Sequence, residues 1–336
     1  MRCYRRIRSR VLQRTLVSIA KSESRVLGTI ARSHVAVRQR SGSARATIVD
    51  RVILEYGNLG DPLNGSLSFP PVIDVVIPVG QNDVSLLPLV LAGIREAVRN
   101  PIRQITVLGR CSPTMTRILA EDGGVLFVDE ESILSPAINE FLDSLQEQFH
   151  TKNWFYQQAL KWKAVLMSSA NAVLVVDADT ILLRERIFFD GEQQLLMSVH
   201  EFNQPYEDHF ISILGSKSEP ALACSFVAHH QLMIPQRVRE MFQEIDQQED
   251  TALLSWFRAG ADTGQSSVSE YHTYGRWLID RYPEQVCLAR WGNLPLPRSK
   301  LGFSEGRSVP ADTLRQLQDR FGGAYSLSAH GYLDLI

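Results

Sequence analysis

The length, composition and charge of the chain indicate a large globular body with a basic N-terminal segment. Its 336 residues are 44% hydrophobic and 21% charged, which excludes a chain disordered throughout and allows a substantial core. The net charge of −2 hides an asymmetry, because residues 1–51 hold 13 basic and 2 acidic residues whereas the remainder holds 22 basic and 35 acidic ones.

The predicted elements alternate between strands and helices in the first half of the chain. Short apolar, β-branched runs predict strands, and apolar residues at helical spacing predict helices. In chain order we expect a strand at Asp74–Val79, a helix at 84–98, a strand at Ile105–Leu108, a helix at Pro113–Glu121, a strand at Val125–Val128, helices at Ser132–Gln148 and Trp154–Ser169, and a strand at Ala172–Val176. Apolar strands in this rhythm predict an α/β fold, with a mainly parallel sheet flanked by helices.

The second half follows a looser, mixed pattern. We expect strands at Leu196–His200 and Ser225–Ile234, helices at Arg237–Gln247 and Tyr271–Arg281, a strand at Val286–Arg290 and a helix at Pro310–Phe321. We therefore predict one domain over residues 72–336, with a first half at about 72–200 and a second half at about 201–336. Residues 1–50 form a separate basic extension.

Cysteine usage and the absence of a long apolar run favour a cytoplasmic protein. The four cysteines lie far apart and lack zinc-ligand spacing, which is typical of free thiols in a reducing compartment. No window approaches 18 consecutive apolar residues, which argues against a transmembrane helix. The apolar run near the start is broken at Gln13, Arg14 and Thr15, so it lacks the core of a signal peptide.

The basic extension has two interpretations. It contains apolar residues at roughly helical spacing between its arginines, as in an amphipathic helix on anionic lipid or a targeting peptide. An amphipathic helix on anionic lipid would place the protein peripherally at the inner face of the membrane. The alternative is a poorly ordered extension. We expect no nucleic-acid partner, because the extension has no binding module and no aromatic residue beyond Tyr4 between its arginines.

Two carboxylates end the most apolar strand, in the run Val173-Leu-Val-Val-Asp177-Ala-Asp179-Thr180. Ligands of a parallel sheet bind beyond the carboxyl ends of its strands. Asp177 and Asp179 can share one Mn²⁺ or Mg²⁺, whose other positions are filled by phosphate oxygens and water. The alternative is a strand-end turn in which the aspartates bond the backbone.

Four motifs in order resemble an uncharacterised bacterial family that is similar to GT-A type glycosyltransferases, over roughly residues 72–280. They are W-x-x-Q-Q-x-x-K at 154–161, D-A-D-T at 177–180, S-F-V-x-H-H at 225–230 and S-E-Y-x-x-Y-G at 269–275. The resemblance implies a GT-A fold with a donor half and an acceptor-side half, a nucleotide-sugar donor and a divalent metal. It leaves the acceptor open.

The helix before the aspartates carries candidate donor-binding residues. Gln157 and Lys161 share a helix face, and Gln158 lies one position round. These side chains could hold phosphate or sugar hydroxyls, whereas the alternative is a flank exposed to water. His230 is a further donor-binding candidate. Because neighbouring strand residues face opposite ways, only one of His229 and His230 can face the cleft.

Two further roles are implied by the resemblance. Many GT-A enzymes take a third metal ligand from a C-terminal histidine, which here is His330 in Ser328-Ala-His-Gly331. In inverting members a carboxylate near the S-E-Y motif removes the proton from the acceptor hydroxyl, which makes Glu270 the candidate base. The alternative for Glu270 is a helix-start residue that complements the dipole.

We therefore expect a metal-dependent glycosyltransferase that moves a sugar from a nucleotide-sugar donor to a glycan or other acceptor in cell-surface glycan or polysaccharide synthesis. One alternative is an aspartate-nucleophile phosphatase, because hhhhDxDxT also fits that class, with Asp177 as nucleophile. That class normally places the motif near the start of its domain. The other alternative is an inactive, membrane-associated binding protein.

Overall fold

The computed structural model describes residues 63, 69–145, 151–198, 203–215, 225–261, 267–290, 292–301, 312–321 and 324–330. Apart from Leu288–Arg290, the described residues belong to one compact unit, which covers Asp61–Cys287 and Trp291–Ile336. The predicted basic extension at residues 1–50 lies outside the described residues. No helix in the described ranges is both long enough and apolar enough to cross a membrane.

The described strands and helices alternate as expected up to the aspartate motif. The strands are β1 (Ile73–Val79), β2 (Ile102–Gly109), β3 (Val125–Asp129), β4 (Val173–Val176), β5 (Thr180–Leu182), β6 (Gln194–Ser198), β7 (His230–Met233), β8 (Val286–Arg290), β9 (Asn293–Pro297) and β10 (Ser326–His330). The helices are α1 (Leu87–Ala97), α2 (Pro113–Glu121), α3 (Pro136–Ser144), α4 (Thr151–Met167), α5 (Gln204–Leu214), α6 (Pro235–Gln243), α7 (Glu249–Ala261), α8 (Glu270–Arg281) and α9 (Thr313–Phe321).

The central sheet has five strands in the order β3-β2-β1-β4-β7. The first four are parallel and β7 is antiparallel to β4. Every residue of β1 and β4 is buried, as expected for strands covered on both faces. A second sheet has the order β5-β10-β9. The predicted α/β architecture with a mainly parallel sheet is confirmed.

Local signals explain where two helices begin. Ser112 has an extended backbone and accepts a hydrogen bond from Met115 N at 3.1 Å, so α2 starts at Pro113. Ser269 caps α8 in the same way through His272 N at 3.2 Å. The cap fixes Glu270 at the first helical position of α8.

Three element predictions need correction. The strand expected at Ser225–Ile234 is confined to β7, because His229 has a φ of 58° and ends the extended run. The helix expected from Ser132 begins at Pro136, since residues 130–132 form a 3-10 turn. The sequence pattern also missed α5, α7 and the short strands β5, β9 and β10.

Gly93 sets the spacing between α1 and β5, the strand that follows the aspartates. A Cβ at Gly93 would lie 2.7 Å from Leu182 O and 3.1 Å from Leu182 N. We expect Gly93→Ala to destabilise the fold by about 1–3 kcal/mol through overpacking, offset in part by roughly 0.5–1 kcal/mol of helix propensity. Chemical denaturation measures the change. Gly123→Ala is the control, because a Cβ there meets nothing within 4 Å. Equal stabilities for the two variants would contradict this account.

Candidate functional site

The candidate site lies at the carboxyl edge of the central sheet. The chain passes from β1 to β2 and β3 on one side, and then to β4 on the other side of β1. This change of direction opens a crevice beyond the strand ends, where ligands of parallel sheets bind. Asp177 follows the last residue of β4, and Asp179 precedes β5.

Asp177 is hydrogen-bonded on both carboxylate oxygens. Its Oδ1 accepts from Tyr271 Oη at 2.9 Å and lies 2.5 Å from Lys161 Nζ. Its Oδ2 lies 3.1 Å from His229 Nδ1, and its backbone N donates to His229 O at 2.9 Å. The side chain is therefore fixed in position by residues from α4, α8 and the segment before β7.

Asp179 contacts the last described strand. Its Oδ2 lies 3.0 Å from His330 Nδ1, and its backbone O accepts from Ala329 N at 2.8 Å. Antiparallel pairing of β10 with β5 produces this approach. The structure thus brings His330 beside the aspartate pair, as the resemblance implied.

Lys161 and Glu270 form a buried ion pair behind Asp177. Lys161 Nζ donates to Glu270 Oε1 at 2.6 Å, and the two side chains are 2% and 1% exposed. The same ammonium lies 4.4 Å from the centre of the Tyr271 ring. Gln158 Oε1 accepts from Glu270 N at 2.7 Å, so α4 holds the start of α8 through two of the predicted residues. The interpretation of Lys161 as a water-exposed residue is excluded.

The shared ammonium determines the charge states of this cluster. Burial alone would raise the pKa of the Asp177 carboxyl, but Lys161 and His229 outweigh burial and hold it well below its usual range. Burial raises the pKa of Glu270, with Lys161 opposing and the nearby Asp177 charge adding to the increase. The pKa of Lys161 is raised because the two carboxylates outweigh its burial. Asp179, paired with His330 and not with Lys161, is the third carboxylate at this edge of the sheet.

Of the two adjacent histidines, His229 lies beside the aspartates and the predicted His230 does not. His229 contacts Asp177, and its ring centre lies 5.1 Å from that of His330. His230 is 2% exposed and packs edge-on against Phe188. Burial lowers the pKa of His230 to about 3, so its imidazole is neutral. The expectation that His230 faces the donor is corrected, because the left-handed backbone of His229 points the earlier ring at the aspartates.

The donor atoms at this edge suit a divalent cation, although they are engaged with one another. Two carboxylates and the imidazoles of His229 and His330 offer the oxygen and nitrogen ligands that Mn²⁺ accepts. Within the described part of the chain, no three His, Cys, Asp or Glu side chains are grouped so as to hold a metal as they stand. A carboxylate has about four lone-pair sites, so Asp177 keeps acceptor capacity for a cation while Lys161 and Tyr271 hold its Oδ1.

Three contributors to the site were absent from the sequence-based set. The first is Tyr271, which donates to Asp177 and which the sequence marks only as the tyrosine of the S-E-Y-x-x-Y-G motif. The second is His229, which contacts Asp177 in place of the predicted His230. Asp83 follows β1 in a 3-10 turn and is ion-paired with Arg298. Burial and the charge of Asp179 raise the pKa of Asp83, which shows that it shares this electrostatic environment. Among the predicted donor-binding residues, Gln157 on α4 is half-buried.

Comparisons with known proteins show only distant likeness. Neither a protein-family model nor a curated protein matches the chain. An active-site mutant of LgtC and galactosyltransferase LgtC with donor and acceptor sugar analogs each align with 77% of this chain and 87% of their own, at 13% identity and TM-scores of 0.45 and 0.41. Mouse xyloside xylosyltransferase 1 in its apo form aligns with 78% of this chain and 98% of its own, at 11% identity and a TM-score of 0.40. Likeness at this level assigns neither function nor site residues.

The neutral state of His230 predicts a specific acid sensitivity. The unfolded imidazole has a pKa of about 6.5 and the folded one about 3, so the unfolded state binds the extra proton between these values. The contribution of His230 to stability is present above pH 6.5 and is lost as pH falls, by up to about 1.4 kcal/mol per pH unit.

We expect His230→Gln to make the free energy of unfolding less sensitive to acid between pH 6.5 and pH 4. Denaturant titrations at several pH values measure it. Phe188→Leu is the control, since loss of its ring packing should cost the same at every pH. A difference between wild type and His230→Gln that stays constant across this range would show that the folded imidazole can be protonated.

Proposed function

We propose that the chain is a metal-dependent glycosyltransferase of GT-A type, which moves a sugar from a nucleotide-sugar donor to a glycan or other acceptor. The observation that carries this proposal is the convergence of Asp177, Asp179 and His330 at the carboxyl edge of a parallel sheet, directly beside the buried Lys161–Glu270 pair. One site thus combines cation ligands with a carboxylate suited to proton transfer.

On the donor side, Asp177, Asp179 and His330 would hold Mn²⁺ or Mg²⁺. The cation would stabilise the negative charge that gathers on the leaving nucleoside diphosphate. Lys161 and Tyr271 hold Oδ1 of Asp177, which fixes the orientation of the carboxylate before any ligand arrives. A carboxylate already oriented loses little conformational entropy on binding.

On the acceptor side, Glu270 would accept the proton of the attacking hydroxyl. Its raised pKa brings the carboxylate closer to the range in which a base is effective near neutral pH. Gln158 would bind a sugar hydroxyl, because its Nε2 is buried without a hydrogen-bond partner among the described residues. Gln157 and His229 are further donor contacts in this proposal.

The phosphatase alternative requires Asp177 to attack phosphorus. In that class the motif normally lies near the start of the domain, as noted above. Here β1, β2 and β3 of the central sheet all precede the aspartate motif. The position of the motif in the fold therefore favours the transferase.

A biological setting is part of this proposal. The acceptor would be a glycan, and the reaction would serve cell-surface glycan or polysaccharide synthesis. Residues 1–50, with their excess of arginine, would attach the chain to the anionic inner face of the membrane. The pathway and the membrane attachment are thus further parts of the proposal.

Removal of the Asp177 charge tests the donor site. Asp177→Asn keeps the shape of the side chain but loses an anionic ligand, and we expect metal-dependent binding of nucleoside diphosphates to fall by about tenfold or more. Thermal shift and calorimetry with a panel of nucleoside diphosphates, with and without Mn²⁺, measure it.

The control for Asp177→Asn is Asp122→Asn, which removes an aspartate paired with Arg95 outside the site. This control should bind as wild type does. Unchanged affinity in Asp177→Asn would remove Asp177 from the cation site. If wild type binds no nucleoside diphosphate with metal present, the transferase proposal is wrong.

Glu270→Gln tests the acceptor side. We expect donor affinity to remain near that of wild type, while turnover of the nucleotide sugar, followed as its hydrolysis, falls by about 10²-fold, the usual contribution of a general base. Glu249→Gln is the matched control, because Glu249 also lies in the first turn of a helix and is paired with a cation, Arg239. Loss of binding and turnover together would make Glu270 a structural residue.

A further inference from the structure

Three parallel strands end at the same level beside the aspartate site. The register pairs Val79 with Gly109 and Gly109 with Asp129. The next residues in the chain are Gly80, Arg110 and Glu130, which therefore follow one another along the carboxyl edge of β1, β2 and β3. None of the three has a role in the cation cluster described above.

Arg110 is held in place at this edge while remaining exposed. Its Nε donates to Glu130 Oε1 at 2.8 Å, and the side chains are 60% and 11% exposed. Gln81 Nε2 donates to Arg110 O at 3.3 Å, which ties the end of β2 to the turn after β1. A buried carboxylate thus fixes one edge of a guanidinium whose remaining surface faces solvent.

Tyr156 of α4 adds a polar group to the same place. Burial and the adjacent Glu130 charge raise the pKa of its phenol to about 12, so the hydroxyl keeps its proton. The phenol of Tyr156 thus adjoins Glu130 from α4, about one and a half turns before Lys161. The exposed guanidinium of Arg110 follows β2, at the same carboxyl edge of the sheet that carries Asp177 after β4.

The distance to the aspartates fits a nucleotide. In the order β3-β2-β1-β4, Arg110 follows β2 and Asp177 follows β4, which lie two strand spacings apart, or about 10 Å. A ribose with two phosphates bridges such a gap. A diphosphate bound near Asp177 would therefore carry its base to the end of β2.

We propose that Arg110, positioned by Glu130, is the group that recognises the nucleobase of the donor. This rests on the proposed function, because it assumes a nucleotide-sugar donor in the crevice. A guanidinium offers only hydrogen-bond donors and stacks on flat rings. It favours uracil and guanine, whose O4 and O6 carbonyl oxygens accept hydrogen bonds, over cytosine and adenine, which carry an amino group at the corresponding position.

The matched control lies on the same strand. Arg103 stands near the amino end of β2, is 48% exposed and is paired with a carboxylate of low exposure, Asp74. Like Arg110, it is an exposed arginine paired with a carboxylate of low exposure, but it lies near the amino end of the strand, away from the carboxyl edge that carries the aspartates. Arg110→Met and Arg103→Met keep an unbranched side chain and remove the guanidinium.

The experiment measures binding of UDP, GDP, CDP and ADP to wild type, both methionine variants and Asp177→Asn, by calorimetry with Mn²⁺. Melting temperatures without ligand check that each variant is folded. We expect wild type to prefer UDP or GDP by about tenfold, Arg110→Met to lose this preference with at least about tenfold weaker binding of the preferred nucleotide, and Arg103→Met to behave as wild type.

Separate outcomes overturn the two proposals. If Asp177→Asn loses binding while Arg110→Met keeps both affinity and preference, the inference fails and the transferase proposal stands. If Arg110→Met weakens all four nucleotides equally, Arg110 contacts phosphate and the inference fails. If wild type binds no nucleoside diphosphate, the proposed function fails and the inference fails with it.

Discussion

The site depends on one buried ammonium that two carboxylates share. Lys161 Nζ lies within 2.6 Å of Asp177, which directly follows β4, and of Glu270 in α8, and Glu270 is 109 residues distant from Lys161 in sequence. Each of these three charged groups would be costly to bury alone. The three groups are stable only together. Consequently α4, β4 and α8 must meet at this point, and the position of each is fixed by the same interaction.

A residue of β10 fixes the second aspartate of the motif. Asp179 lies outside the reach of Lys161 and is held instead by His330, 151 residues later, through the pairing of β10 with β5. Arg298 strengthens this attachment, since it donates to Ala329 O at 3.4 Å and pairs with Asp83 after β1. The two aspartates therefore belong to different parts of the fold. Asp177 is held by residues of α4 and α8, whereas Asp179 is held by a residue of the second sheet.

Local patterns predicted the parts of this structure that local chemistry determines. The apolar run of β4, the cap at Ser269 and the bounds of α2 follow from neighbouring residues. The burial of Lys161 could not be predicted in this way, because a lysine is buried only where distant carboxylates meet it. The prediction that His230, and not His229, faces the site failed for a different reason. Strand alternation assumes an extended backbone, and a φ of 58° breaks that assumption at the one residue where it mattered. The strands β5 and β10 are short and gain their stability from long-range pairing, which leaves no local pattern.

The two ends of the crevice differ in charge, and this difference limits what can bind across it. At the end of β4, the carboxylates of Asp177, Asp179 and Glu270 lie beside Lys161 and His229, and an accompanying cation would favour the binding of an anion there. At the end of β2, the guanidinium of Arg110 is exposed and its counter-ion is buried beneath it, so the surface offers hydrogen-bond donors. A ligand that suits both ends must carry a cation-complexed anion at one end and hydrogen-bond acceptors at the other. A free phosphate or a simple sugar satisfies only one of these requirements, whereas the nucleoside diphosphate and divalent cation that we propose would satisfy both.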